Sequence, residues 1–415
     1  LFKYCDNNLI QGNNVINNSK NGIKLQTDCD NNTLTGNLVV NNTYSGIFLM
    51  NLCGNNSLKR NDLYENQDGV YLYYVCENNT ISENDMINNT KSGINIEKNC
   101  TKNYVIENSI NIEKGIGIFV QEKSNSNTID GNIVEKGKVG ISIFNECENN
   151  SITGNRLINN TNLGINVSRN CDFNHFISNF VSDSICGIKL HNESDFNTLS
   201  YNNCSNNGCG ICLDKSCKKN LLSGNNCSNN IIGIEIRNSH DNTFLSNYLQ
   251  HCGFFLNASY NSTLDTTNKI NGKSVRYYEK QTNLILSGIN DVGQVILVNC
   301  DDIRLENMEI NDTTVAIELF NSTNIKIKNV NCTWNLYGIY LLNNCTSNSL
   351  ISNELTYNGE GIRISLNCND NTLSGNNIMN NTQRGIYVQR NCKNNAIVAN
   401  KIHDNQNGIV LVNLC

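Results

Sequence analysis

Residues 22–40 read Gly22-Ile23-Lys24-Leu25-Gln26-Thr27-Asp28-Cys29-Asp30-Asn31-Asn32-Thr33-Leu34-Thr35-Gly36-Asn37-Leu38-Val39-Val40. Three short apolar–polar alternations, at 22–25, 32–35 and 38–40, are separated by Asp, Asn and Gly. A period of two marks strands, and the polar breaks mark corners. The unit then repeats. Its glycine returns at Gly46, Gly69, Gly93, Gly117, Gly140, Gly164, Gly187, Gly210 and Gly233, then at Gly338, Gly361, Gly385 and Gly408, with neighbours 23 or 24 residues apart within each run. Gly253, Gly272, Gly293 and Ala316 are weaker starts. Three strands and three corners per repeat close one coil of a solenoid. The expected fold is all-β: a single right-handed parallel β-helix of about 18 coils of 22–24 residues, with strands of successive coils about 4.8 Å apart. One continuous β-helix is expected over 1–415, regular over 1–252, irregular over 253–315 and regular again over 316–415.

Stacking the repeats turns positions into columns. The first and third residues after the glycine are aliphatic (Ile23/Leu25, Ile47/Leu49, Val70/Leu72, Ile94/Ile96) and are expected to point inward. The residue between them is mixed (Lys24, Phe48, Tyr71, Asn95, Lys189, Glu235, Arg363) and reads as solvent-facing, as does the fourth position (Gln26, Tyr73, Glu97, Gln121, His191, Asp214). Asn32, Asn56, Asn79, Asn103, Asn127, Asn150 and Asn174 form one Asn column, and Asn37, Asn61, Asn84, Asn108, Asn132 and Asn155 another. Stacked carboxamides can bond from coil to coil, and Asn tolerates the left-handed backbone of sharp corners. The chain has no proline, as expected where every coil donates its amides to a neighbour.

Composition narrows the function. The 415 residues carry a net charge of −6 and only 16% charged side chains. No run approaches the roughly 18 apolar residues of a membrane helix. Lysine is not clustered into a nucleic-acid footprint. The chain begins at Leu1 and shows no secretory leader, so it reads as a mature or trimmed segment.

Of twenty cysteines, twelve stand seven residues after a repeat start: Cys29, Cys53, Cys76, Cys100, Cys147, Cys171, Cys217, Cys300, Cys345, Cys368, Cys392 and Cys415, with Cys5 one coil earlier. Ser124, Ser194, His240 and Thr323 replace them elsewhere. Three readings compete: a ladder of reduced thiols packed as small hydrophobes, disulfides between coils, and a soft-metal site. Cys204 and Cys227 read as core, while Cys186, Cys209 and Cys252 precede their glycines, and Cys209 with Cys212 invites a metal or redox test.

No catalytic set emerges. Glycoside hydrolysis needs two facing carboxylates, and acidic pairs such as Asp28/Asp30 and Asp301/Asp302 flank corners without a second pair stacked on them. His175, His191, His240, His251 and His403 lie at different phases of the repeat. No catalytic residue, cofactor or metal ligand is assigned. Asn-X-Ser/Thr triplets, as at Asn41, Asn88 and Asn261, arise largely from composition.

The phrases Asn-Thr-Leu-Ser-Gly-Asn (371–376 and kin) and Gly-Ile-X-Leu, with Asn271-Gly272-Lys273-Ser274-Val275-Arg276-Tyr277-Tyr278 and Gly293-Gln294-Val295-Ile296-Leu297-Val298-Asn299-Cys300, resemble the NosD-like (CASH-type) β-helix family. Members often have Pro where this chain has Ser274. The resemblance spans essentially the whole chain and implies the right-handed β-helix. It also implies a setting like that of archaeal, especially methanogen, surface and sheath-type proteins. It carries function poorly, because the family includes copper-enzyme maturation factors, carbohydrate-active proteins and envelope proteins. Arg276, Tyr277 and Tyr278 offer a contact patch or pack on the neighbouring coil.

The chain opens and closes at nearly the same phase of the repeat, so Leu1, Phe2 and Tyr4 at one end and Leu411 and Leu414 at the other read as assembly surfaces. The leading expectation is a non-enzymatic extracellular or cell-surface protein that self-assembles into a sheath, filament or surface layer, with itself and envelope glycans as partners. A glycan- or copper-binding module is the alternative, and a polysaccharide-active enzyme the third.

Overall fold

A computed structural model describes all 415 residues, Leu1–Cys415. It holds 51 strands and no helix. The fold is all-β, a parallel β-solenoid of about 18 turns. The chain packs as two compact units, Leu1–Asn225 and Asn226–Cys415.

In the first unit the repeats contribute strands to three parallel sheets, the third of which ends at Phe180–Ser182 and continues only as a bridge from Phe180 to Asn203. The strand after the glycine is the longest, as in Asp68–Tyr73, Ser92–Glu97 and Ile116–Gln121. Thr33–Thr35, Ser57–Lys59 and Thr80–Ser82 lie in the second sheet, and Leu38–Val40, Asp62–Tyr64 and Asp85–Ile87 in the third. Equivalent residues pair without slippage, for example Ile23 with Ile47, Leu34 with Leu58 and Val39 with Leu63. Register is held because a one-residue slip would turn every aliphatic side chain outward. Leu25, Leu34, Val39, Leu49, Leu58 and Leu63 are wholly buried.

The corners carry the Asn ladders. Asn56 donates from its backbone N and from Nδ2 to Asn79 Oδ1, both at 3.0 Å, and Nδ2 reaches back to Cys29 O at 2.9 Å. A third ladder, unread in the sequence, runs through Asn18, Asn42, Asn66 and Asn89. The left-handed residue is the one before each ladder Asn, not the Asn itself. Asn55, Asn78, Lys102 and Phe173 all have φ of 54–57°. That position strains a side chain without regard to its chemistry, and the ladder behind it supplies the compensation.

The glycine column has a steric cause. A Cβ on Gly117 would meet Val134 Cγ1 of the third sheet and sit 2.6 Å from Gly140 O of the next coil. The glycine therefore faces inward, and so does the residue after it. The alternation resets at this bend, and the residue before the glycine turns outward.

In the second unit the long-strand sheet runs through Gln294–Val298, Val315–Phe320, Tyr337–Leu342, Glu360–Ser365, Arg384–Gln389 and Asn407–Val412. Its aliphatic core includes Val295, Ile317, Ile339, Ile362 and Ile386. The irregular stretch contains a reversal: Lys269–Ile270 pairs antiparallel with Lys273–Glu279 across Asn271 and Gly272, both at positive φ. Tyr278 packs against the core, and Tyr277 Oη donates to Glu279 Oε2 at 2.6 Å. The three residues of the expected contact patch are thus half-buried rather than protruding.

Candidate functional site

The cysteine ladder is a packing device. From Cys29 to Cys392 its members are buried; Cys5 is partly exposed and Cys415 exposed. Each thiol turns onto its own corner, as Cys29 Sγ donates to Gln26 O, Cys53 to Met50 O and Cys147 to Phe144 O, all at 3.3 Å. Neighbouring coils meet through sulfur: Cys345 N donates to Cys368 Sγ and Cys368 N to Cys392 Sγ, both at 3.3 Å. All twenty are free thiols. Burial pushes Cys217 up to about 12 and Cys252 up to about 11, so these groups are neutral at physiological pH. Ser124 and Ser194 make the same bond, to Gln121 O at 2.7 Å and His191 O at 3.0 Å. Two expected replacements are corrected. Ser239 and Ser322, not His240 and Thr323, fill the corner, donating to Arg237 O and Phe320 O, because those corners are one residue shorter. A Cys171→Ser change should therefore alter urea stability by no more than about 1 kcal/mol, and reductant should leave the melting temperature unchanged. A melt that falls on reduction would show cross-coil disulfides instead.

Leu1, Phe2, Tyr4, Leu411 and Leu414, the expected assembly residues, are exposed. Flanking chain or a second molecule would cover them equally.

The outer face of the long-strand sheet departs from the sequence reading. Residues expected in solvent are covered there: Asn95 is 0% exposed, Glu235 6% and Asp214 9%. Because the alternation resets at the glycine, three columns share this face: the residue before the glycine and the second and fourth after it. A corner column walls it, built coil on coil by Tyr44 N to Lys20 O, Gln67 N to Tyr44 O and Lys91 N to Gln67 O.

In the first unit this face forms a cleft of about 400 Å³ lined by Lys20, Lys24, Tyr44, Phe48, Asp68, Tyr71 and Lys91. Phe48 and Tyr71 stack at 5.0 Å between ring centroids. Lys24 Nζ lies 5.6 Å over Phe48 and Lys91 Nζ 5.6 Å over Tyr71, cation–π contacts that hold both ammonium groups above the rings. Asp68 is 2% exposed, bonded to Ser92 Oγ and 3.9 Å from Lys91 Nζ. Burial raises its pKa, against the pull of Ser92 and Lys91. One coil on, Tyr71 Oη donates to Glu97 Oε2 at 2.8 Å, and Gln121 Nε2 bonds the same oxygen at 3.0 Å and Asn95 Oδ1 at 3.1 Å. Asp68 and Glu97 are two acids on this face, near enough for Glu97 to help raise the Asp68 pKa, and the sequence reading did not bring them together. They sit at positions −1 and +4 of adjacent repeats, which only the bend brings to one side. Their partners hold them as fixed acceptors beside aromatic rings.

Farther along the first unit, Cys186 pairs with Cys209 across coils. Contact with the Cys186 and Cys212 thiols, and burial, drive the Cys209 pKa well up. His191 is buried to the point that its pKa falls to about 4, and its nitrogens contact Asn166 Oδ1 at 2.9 Å and Asn192 Nδ2 at 3.0 Å.

In the second unit the same face carries Tyr337, Tyr340, Glu360, Arg363, Arg384 and Tyr387 on in-register strands. Nearby, Glu318 is fully buried with its pKa well raised by that burial, and accepts from Leu256 N at 3.1 Å.

Coil geometry, ladders and core together define a right-handed parallel β-helix protein. Residues 1–175 and 164–287 match the family described as "Periplasmic copper-binding protein (NosD)", and 275–415 match "Right handed beta helix region". The chain belongs to the NosD family. No curated protein matches it in sequence. Among solved structures it is similar to a mutant of the periplasmic alginate epimerase AlgG, at 12% identity over 85% of this chain and 76% of that one, TM-score 0.39. A tailspike protein mutant of E. coli bacteriophage HK620 in complex with a pentasaccharide matches at 12% identity over 74% and 65%, TM-score 0.45. The N-terminal fragment of bacteriophage Phi29 gene product 12 matches at 8% over 97% and 79%, TM-score 0.44.

The family description names copper, and the donors here do not fit a resident ion. No group of three or more His, Cys, Asp or Glu stands at metal-binding geometry. The thiols that touch turn onto backbone carbonyls, Cys186 to Ile188 O at 3.5 Å and Cys209 to Ile211 O at 3.4 Å.

Proposed function

We propose that this protein is a non-catalytic glycan-binding β-helix of the cell envelope or its exterior, and that it holds saccharide on the recessed outer face of its long-strand sheet. The cleft around Phe48 and Tyr71 carries the proposal. Aromatic faces beside fixed polar groups suit a sugar ring, which has apolar C–H faces and a rim of hydroxyls. Asp68, Glu97, Gln121 and the two lysines offer acceptors and donors already held in place by protein partners. Such preorganisation lowers the entropic cost of binding. The envelope setting agrees with the family's periplasmic description.

Self-assembly through the coil ends draws on edges that any flanking chain would also cover, so the cleft is the better-supported reading. The test is a panel of soluble oligosaccharides titrated against the full chain by calorimetry, with reducing ends followed in parallel. Binding without new reducing ends is expected, and Tyr71→Ala should weaken it at least about tenfold, or 1.4 kcal/mol. Absence of binding across the panel overturns the reading, and cleavage overturns its non-catalytic half.

A further inference from the structure

The second unit carries a cluster that neither the thiol ladder nor the first cleft explains. Glu360 has a side chain only 1% exposed and pairs with two guanidiniums. Arg363 Nη1 donates to Glu360 Oε2 at 3.3 Å and to Tyr337 Oη at 3.2 Å. Arg384 Nη1 donates to Glu360 Oε1 at 2.5 Å. The Arg363 guanidinium lies 5.3 Å from the centroids of Tyr337 and Tyr340 and 5.2 Å from Tyr387, and that of Arg384 is 4.1 Å from Tyr387. Their side chains keep 20% and 32% of their surface.

One carboxylate against two guanidiniums leaves a net positive charge in a recessed, aromatic setting. Packing does not call for it, because burying an uncompensated charge is destabilising. Arg363 Nε is buried without an acceptor. The Tyr contacts and Glu360 fix both planes, so the N–H groups that remain solvent-accessible are preorganised rather than free to swing. A guanidinium held in this way matches a carboxylate in two-point geometry. The first cleft has related parts: a buried acid before the glycine, Asp68 there and Glu360 here, and aromatics two residues after a glycine, Tyr71 of the acid's own repeat there and Tyr340 and Tyr387 of the adjacent repeats here, with cations in excess. Both faces are locally positive in a chain whose net charge is −6.

Resting on the glycan reading above, we infer that the Arg363–Arg384–Tyr387 face is a second saccharide site that takes a carboxylate-bearing sugar, a uronate, with the carboxylate on the open guanidinium N–H groups and the ring against Tyr387. The full chain carrying Tyr71→Ala, which disables the first cleft, is titrated with tetragalacturonate and with its fully methyl-esterified form. The two probes share a backbone and differ in charge. The acid should bind at least tenfold more tightly than the ester, weaken as salt rises, and lose that preference in Arg384→Gln. Arg384→Gln keeps a hydrogen-bond donor for Glu360, and an unchanged thermal melt would show that the fold is intact. Equal binding of acid and ester, or a preference that survives Arg384→Gln, overturns the uronate site. Either result leaves the glycan reading to stand or fall on the oligosaccharide panel with the unmodified chain.

Discussion

Asn132→Ala should lower the stability of the first unit by about 3 kcal/mol or more, read as a shift of the urea midpoint. Asn132 is wholly buried; its side chain serves five hydrogen bonds and its backbone two. Its Oδ1 accepts from Asn108 N at 3.0 Å and Asn108 Nδ2 at 2.9 Å. Its Nδ2 donates to Val105 O at 2.9 Å, Asp130 O at 3.1 Å and Asn155 Oδ1 at 3.0 Å. Only the two backbone bonds survive truncation, from its own N to Asn155 Oδ1 and from Arg156 N to its carbonyl. Each buried group left without a partner costs about 1–3 kcal/mol, and water has little access to restore the bonds. Asn132→Asp should be worse at neutral pH, since a carboxylate would face three oxygens. The cost should shrink in acid, where a protonated carboxyl can donate to one of them. A midpoint within experimental error of the parent would mean that the ladders are a by-product of composition.

Gly117→Val should be comparably damaging. The space a Cβ needs is taken by Val134 of the third sheet and by the Gly140 carbonyl of the next coil. The first could shift a rotamer. The second is backbone in a register-locked strand, so relief requires moving a coil. Overpacking of this kind costs about 1–3 kcal/mol, and the branched side chain adds to it. Gly408→Ala is the matched control, because its nearest contact is Ile402 Cγ2 at 3.6 Å. It should stay within about 0.5 kcal/mol of the parent, as surface changes usually do. Equal losses at both sites would place the effect in chain entropy rather than in packing.

Most of the solenoid is legible in one repeat. The 23- or 24-residue spacing, the paired aliphatics after each glycine and two of the three Asn columns appear in the structure in the expected register. These features are local and repeated, so each coil restates the same instruction. The thiol column was also visible, although its chemistry stayed open among packing, bridging and metal. Burial and the carbonyl opposite each Sγ favour packing, and both depend on the neighbouring coil. The shifted corners at Ser239 and Ser322 escaped notice because a one-residue deletion moves the column without changing its type.

The recessed face is a different matter. Asp68, Glu97, Tyr71 and Lys91 look unrelated along the chain, as do Glu360, Arg363, Arg384 and Tyr387. A strict period of two puts the residue before the glycine indoors and leaves the next outward positions in open solvent. The inward glycine breaks that period, and the walls of neighbouring corners cover what remains. The sequence by itself therefore determined the coil, its core and its ladders, since periodic side-chain patterns set those one repeat at a time. Which polar and aromatic groups share a cleft, and which acids are buried beside cations, only the tertiary structure decided, because those contacts join residues of separate coils across a bend that no single repeat reveals.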